Sequence, residues 1–299
     1  MTVVSPGARP AAPARRPRWT GFVYVLPLLV FLAALFLVPL VRLLRLSFNP
    51  VDAFNAALPG WTLEQYGRVL TEPYFYGSLL QTLATALLVA VLCVTLAYPA
   101  AYALARQRPG VVRTLLFVIV ISPLLTSVVV RTYGWVVLLS GNGVVNQALV
   151  ATGLRDQLAQ LLTSYPAVVV AVTHVLLPFA IIPLTTALGG QDRNLHRASQ
   201  TLGAGPIRTF LRVTVPLSLP GMVTGALIVF ALAMGIYITP LLVGGVTQPL
   251  TGIRVYDQVT TVFDYPVAAA LSFALLALTI VSTSLLAGVF RIWERRLHG

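Results

Sequence analysis

Six long stretches of this chain carry almost no charge, and that pattern leaves few folds open to it. Phe22 to Val41, Gly77 to Ala105, Thr114 to Val130 and Tyr265 to Phe290 are uncharged. Leu161 to Gly190 contains only His174, and Val213 to Ile253 is uncharged but punctuated by Pro216, Pro220 and Gly244-Gly245. A helix needs about 20 apolar residues to cross the hydrocarbon of a bilayer. Strands of a membrane barrel alternate over short segments and do not produce such runs. The expected fold is therefore an all-α membrane protein with six transmembrane helices, at about 22–44, 77–105, 114–140, 166–188, 220–243 and 265–290. Residues 21–293 form a single transmembrane domain on this reading. Only 9% of residues are charged, against about 25% in a soluble domain, so the chain cannot be soluble without lipid.

The arginines orient the spans. With the N-terminus inside, the inner side holds Arg9, Arg15, Arg16, Arg18, Arg106, Arg108, Arg113, Arg193, Arg197, Arg208, Arg212, Arg291, Arg295 and Arg296 against Asp192 and Glu294. The outer side and its span ends carry six arginines and six acids, so the whole net charge of +12 lies on one side. Positive charge retained in the cytoplasm accounts for this, and both termini are expected there, in a multi-pass inner-membrane protein. Topology explains the high pI, and no nucleic-acid partner is needed. Residues 1–20, rich in Pro, Ala and Arg, are expected to be a disordered cytoplasmic tail. The first apolar run is longer than the core of a cleaved signal and is followed by Arg42 and Arg45, which favours a retained helix.

Several chemistries are missing from the sequence. There is no lysine, so no Walker A loop can form. HExxH, GxSxG and acid pairs within the spans are absent, so no catalytic residue and no metal ligand set is assigned. Cys93 is alone in an apolar run, where it reads as a small packing residue.

Residues 190–221 stand apart as a basic segment between apolar runs. Asp192 or Asn194 can cap a helix. Leu195, Ala198, Ser199 and Leu202 then share one helical face. Gly203 suits the C′ position, where a positive φ is favoured. Gly205-Pro206 turns the chain into a second short helix with Ile207, Phe210 and Leu211 on one side and Arg208 and Arg212 on the other, and Pro216 is expected to end it. Physics alone leaves two readings for this hairpin: a contact for a cytoplasmic partner, or an amphipathic element on anionic lipid.

The segment resembles a family signature. Permeases of ABC importers carry a motif approximating E-A-A-x-x-x-G-A, then a Phe, then a Leu-Pro. Here Arg197-Ala198-Ser199, Gly203-Ala204, Phe210 and Val215-Pro216-Leu217 match the spacing, with Arg197 in place of the usual acid and Ser199 in place of the second Ala. Tyr98-Pro99-Ala100-Ala101-Tyr102, Arg131-Thr132-Tyr133-Gly134-Trp135, Asn142-Gly143-Val144-Val145-Asn146 and Thr239 to Gly245 resemble the polyamine branch of these permeases. The resemblance implies a type I importer fold whose cytoplasmic loop, residues 190–221, couples to an ATPase through Arg197, Ala198, Ser199, Leu202, Gly203, Ala204, Phe210 and Pro216. It implies a non-enzymatic subunit that lines half of a pathway for a small solute, with spermidine or putrescine the expected cargo. Iron(III), an opine or a phosphonate is the alternative. The implied partners are a second permease, identical or different, two cytoplasmic ATPase subunits that bind the ATP and Mg, and an extracytoplasmic solute-binding protein; no cofactor is expected in this chain. A secondary transporter is the rival class, but neither inverted repeats nor carboxylates within the spans are visible.

Among residues inside the spans, Arg131 reads either as functional or as a snorkelling side chain near a span end. His174 is expected to bond a backbone carbonyl. Gln81, Arg131, Tyr133, Trp135 and Tyr237 are the pathway candidates, since aromatic faces attract ammonium groups; packing is the plainer reading of the aromatic ones.

Overall fold

A computed structural model describes residues 19–153, 160–244 and 250–298. The expected tail at 1–20 lies almost wholly outside them. The chain divides into two units, residues 1–45 and 46–299. The first contains helix α1 (Trp19–Leu46), which is apolar all round as far as Val41, before Arg42 and Arg45, and runs through Pro27 and Pro39 without a break. Uniform apolarity is the signature of a helix solvated by lipid or other helices on every side.

In the second unit the main helices are α3 (Pro73–Arg106), α7 (Tyr165–Gly189) and α10 (Val215–Gly235), which pack together as its centre. Their shared core is built mostly from small and β-branched side chains: Ala86, Val89, Ala90, Cys93 and Ala97 of α3 meet Val168, Val172 and Ala180 of α7 and Val229 and Ala233 of α10. Lipid offers helices little hydrophobic reason to associate, so close packing of small residues does that work. Gly221 and Gly225 show it most sharply. A Cβ on Gly225 would lie 3.2 Å from the Ala180 Cα, and one on Gly221 would collide with the Ala187 methyl. Buried hydroxyls add cross-links: Thr82 Oγ1 lies 3.0 Å from Thr251 Oγ1 and accepts from the Thr251 N–H at 2.8 Å.

Six segments among the described residues are long and apolar enough to cross a bilayer. Two depart from the expected boundaries. The run expected to cross as one helix over 114–140 is two helices, α4 (Val111–Leu125) and α5 (Val128–Leu139), followed by α6 (Val144–Ala151). Pro123 removes a donor near the end of α4, and Ser127 is extended, so the ladder stops there. The loop's second helix was expected to end at Pro216 and the fifth span to occupy about 220–243. Instead α9 (Pro206–Thr209), a π turn at Phe210–Thr214 and α10 form one continuous helix from Pro206 to Gly235. The wide π turn gives Pro216 room beside the carbonyl that its ring would otherwise strike. The apolar run then breaks at Ile236 and resumes as α11 (Ile238–Gly244).

Helices α2 (Glu64–Thr71), α12 (Thr251–Asp257) and the start of α13 (Tyr265–His298) lie together at the end where α3 begins. There Arg68 bridges Glu72 and the buried Asp264, both at 3.1 Å. Burial pulls the Arg68 guanidinium down, but its bonds to these two carboxylates outweigh that and leave it raised. Asp264 Oδ1 also accepts from the Val267 N–H, starting α13.

Candidate functional site

The basic segment folds as helix α8 (Arg193–Thr201), a tight turn, and α9 with its π turn. Asp192 Oδ1 accepts from the Asn194 N–H at 2.9 Å and caps α8. Gly203 has φ +81°. Its N–H donates to Gln200 O, and that of Ala204 donates to Ser199 O. These paired bonds are the Schellman closure, which needs a left-handed residue at that point. Pro206 then opens the next helix at its first turn.

Side chains lock the two arms. Ser199 Oγ is 2.9 Å from Thr209 Oγ1, and His196 Nε2 is 3.0 Å from Thr214 Oγ1. Gln191 Nε2 donates to Thr214 O. Thr209 and Thr214 are buried, so these bonds are shielded from water and hold the hairpin as a unit. The hairpin is in turn fastened to α3. The Phe210 ring meets the rings of Tyr98 and Tyr102 edge-on, at 5.6 and 5.5 Å between centroids. Tyr98 Oη reaches Ser218 Oγ of α10 at 3.1 Å. The hairpin is thus linked by side-chain contacts to both α3 and α10.

The opposite surface of the hairpin is apolar and uncovered in the isolated chain. Leu202 is 88% exposed and Ile207 75%. Leu195 and Leu211 are exposed as well, as are Arg197 and Ala198. Of the other residues singled out in the sequence, Ser199 and Phe210 make the contacts above. Ala204 is half-buried, and Pro216 lies inside continuous helix. His196, Thr209, Thr214, Tyr98, Tyr102 and Ser218 were not anticipated in these roles. The Tyr98–Tyr102 pair was visible as a motif, but nothing local shows that it receives Phe210.

The polar residues of the spans fall in separate places. Trp135 Nε1 donates to His174 Nδ1 at 3.2 Å, so His174 bonds a tryptophan, not the expected backbone carbonyl. Tyr237 stacks on Tyr256 with centroids 6.3 Å apart, both partly exposed. Tyr256 gave no signal of its own in the sequence. Arg131 is half-buried, and its Nε and Nη1 find no acceptor among the described residues. Thr132 beside it bonds Thr239 at 3.1 Å. Tyr133 is exposed and Gln81 is half-buried, and neither side chain makes a hydrogen bond or ring contact with another described residue.

Apolar spans together with a locked hairpin whose Leu202 and Ile207 are uncovered fit a membrane transport component. A family model described as binding-protein-dependent transport system inner membrane component matches residues 94–299, and the chain belongs to that family. It is 32% identical over 253 residues to the spermidine/putrescine transport system permease protein PotB of Salmonella typhimurium, covering 85% of this chain and 88% of that one. It is 33% identical over 237 residues to the Escherichia coli protein of the same name, covering 79% and 86%. Its fold is similar to a chain of the bacterial alginate ABC transporter solved with a periplasmic protein bound to an alginate pentasaccharide, with TM-score 0.71 and 18% identity over 92% of this chain and 95% of that one. The chain is a multi-pass inner-membrane protein and the transmembrane permease of an ABC importer, a transport component.

Proposed function

We propose that this permease carries a polyamine, and that the 190–221 hairpin transmits the motion of a cytoplasmic ATPase to the spans. The observation that carries the second point is the pairing of two faces on one hairpin. Leu202 and Ile207 are uncovered on one side, while Phe210 is seated between Tyr98 and Tyr102 on the other. An exposed apolar patch on a short basic element is a docking surface in waiting. The seated phenylalanine makes it mechanically useful. A second permease completes the pathway, two ATPase subunits bind ATP and Mg, and a solute-binding protein delivers cargo from outside. Both termini face the cytoplasm on this proposal, which the arginine bias supports.

Cargo class rests on relatives named for spermidine and putrescine and on partly exposed aromatic rings. Tyr237 with Tyr256, and Tyr133, offer faces to an ammonium group. One observation favours a second reading, an anionic cargo: the guanidinium of Arg131 has atoms without an acceptor, and a charge at membrane depth is expected to find one. Thermal shift of the cognate binding protein with spermidine, putrescine and a phosphonate separates the two.

The hairpin is tested by Gly203→Val. A β-branched residue resists φ +81°, and a Cβ there meets nothing within 4 Å, so the damage is to direction and not to packing. The variant is expected to insert normally while transport and substrate-stimulated ATP hydrolysis fall together. Arg197→Ala is expected to be mild. Normal coupled hydrolysis in Gly203→Val, measured in vesicles with all partners, removes the hairpin from the transmission route.

A further inference from the structure

Where α3 and α7 end, a cavity of about 320 Å³ opens beneath the hairpin, lined by Tyr102, Arg106, Arg108, Gln191, His196 and Thr214 among others. That is large enough for a small ligand. None of its lining residues is acidic, and neither Arg106 nor Arg108 has a carboxylate partner among the described residues. The Arg106 guanidinium is held over the Tyr102 ring at 4.6 Å, which fixes its plane while leaving its edge N–H groups available. His196 and Thr214 bond each other in the wall.

A second cavity, about 360 Å³, shares Gly189 with the first in its lining. It is lined by apolar side chains of α4 and α7, including Phe117, Val120, Ile181 and Ile182, with Arg113 also in its wall. A basic chamber beside an apolar groove between apolar helices has the two-part chemistry of a phospholipid. From this juxtaposition we infer a binding site for one anionic phospholipid: the phosphate is held by Arg106 and Arg108, and an acyl chain lies along the groove between α4 and α7. Guanidinium groups bind phosphate oxygens in a paired, planar fashion, and basic pockets between spans are suited to anionic headgroups. A soluble phosphate would use the chamber but leave the groove without purpose. The headgroup would rest against the same Tyr102 ring that holds Phe210.

The test uses the purified full-length chain in detergent, titrated by native mass spectrometry. The probes are phosphatidylglycerol, phosphatidylcholine with the same acyl chains, and glycerol 3-phosphate. One phosphatidylglycerol is expected to bind in preference to phosphatidylcholine, and glycerol 3-phosphate at equal concentration is not expected to displace it. Arg106→Gln with Arg108→Gln should weaken phosphatidylglycerol about thirtyfold, each arginine contributing about fivefold. Both arginines are exposed, so the fold should survive. Arg106→Lys with Arg108→Lys keeps the charge and should retain most of the preference. Phe117→Ser, an exposed change in the groove, should weaken the lipid without creating affinity for glycerol 3-phosphate. Equal binding of the two lipids, or undiminished binding by the glutamine pair, overturns the site. Displacement by glycerol 3-phosphate overturns the lipid assignment and makes it a site for soluble phosphate esters.

Discussion

Phe210 shows how much of a transport subunit can rest on one side chain. It projects from the hairpin into a cleft formed by Tyr98 and Tyr102, one turn apart on α3. Each edge-on aromatic pair is worth about 0.5–1.5 kcal/mol beyond the area it buries, so Phe210→Ala should loosen the anchor by about 1–3 kcal/mol. The spans do not depend on it. The expected outcome is a protein inserted at normal levels in which ATP hydrolysis persists while uptake falls several-fold; uptake per ATP hydrolysed in proteoliposomes checks this. Tyr237 makes a contrasting case. Replacing it by Leu keeps the bulk but removes the aromatic face stacked on Tyr256. For a polyamine, uptake at saturating binding protein should drop by about fivefold, matching a cation–π contact of about 1 kcal/mol, with ATP hydrolysis still coupled. Unchanged uptake takes Tyr237 out of the pathway.

Among the elements, α10 and α7 approach closely where Gly221 and Gly225 face Ala180, Pro183, Leu184 and Ala187. Gly221→Val forces a side chain against Ala187 and the Pro183 carbonyl. Overpacking of this kind costs about 1–3 kcal/mol, so the variant should melt earlier and accumulate less, with the defect appearing before any partner is added. Loss of coupling with unchanged thermal stability would contradict this. Elements were legible in the sequence to different degrees. The turn at Gly203 was open to inspection because its signals are local: a capping Asp192, a glycine where a left-handed residue is needed, and Pro206 opening the next helix. The apolar runs were equally plain, since bilayer thickness sets their length. What failed were the interruptions. Proline marks a possible break, yet α1 runs through Pro27 and Pro39 and α3 through Pro99, while the third run divides just after Pro123. Pro216 looks like a stop in the sequence, yet a π turn carries the helix past it. Neighbouring backbone decides each outcome, and a single sequence does not display those neighbours. The same holds for contacts over long separations, such as Phe210 with Tyr102 or Arg68 with Asp264.

At the scale of the whole molecule, the two ends of the second unit treat arginine differently. At the end where α3 starts, carboxylates lie close to the arginines: Arg68 bridges Glu72 and Asp264, and Arg254 donates to Tyr74, whose hydroxyl also bonds Asp257, although Arg254 Nε finds no partner among the described residues. At the end where α3 and α7 finish, Arg106 and Arg108 gather beside the hairpin that carries Arg208 and Arg212, with no carboxylate partner among the described residues. Unmatched cations are what anionic headgroups and the cytoplasmic face retain; matched pairs carry little net charge and cross more readily during insertion. The arrangement supports the proposed placement of the hairpin end in the cytoplasm. The start of α13 lies at the carboxylate-bearing end, beside α2, so its far end, with Arg291, belongs with the hairpin. A reporter fused to Gly299 that is active only outside the membrane should stay silent, and one active only in the cytoplasm should work. The bias can also be weakened without touching the bundle. Changing exposed Arg208 and Arg212 to Gln removes two of the fourteen inner arginines, which should leave orientation unchanged because the remaining charges still dominate. A reporter at Gly299 that becomes active outside in the unaltered protein would invert the topology. It would also place the hairpin beyond the reach of any ATPase.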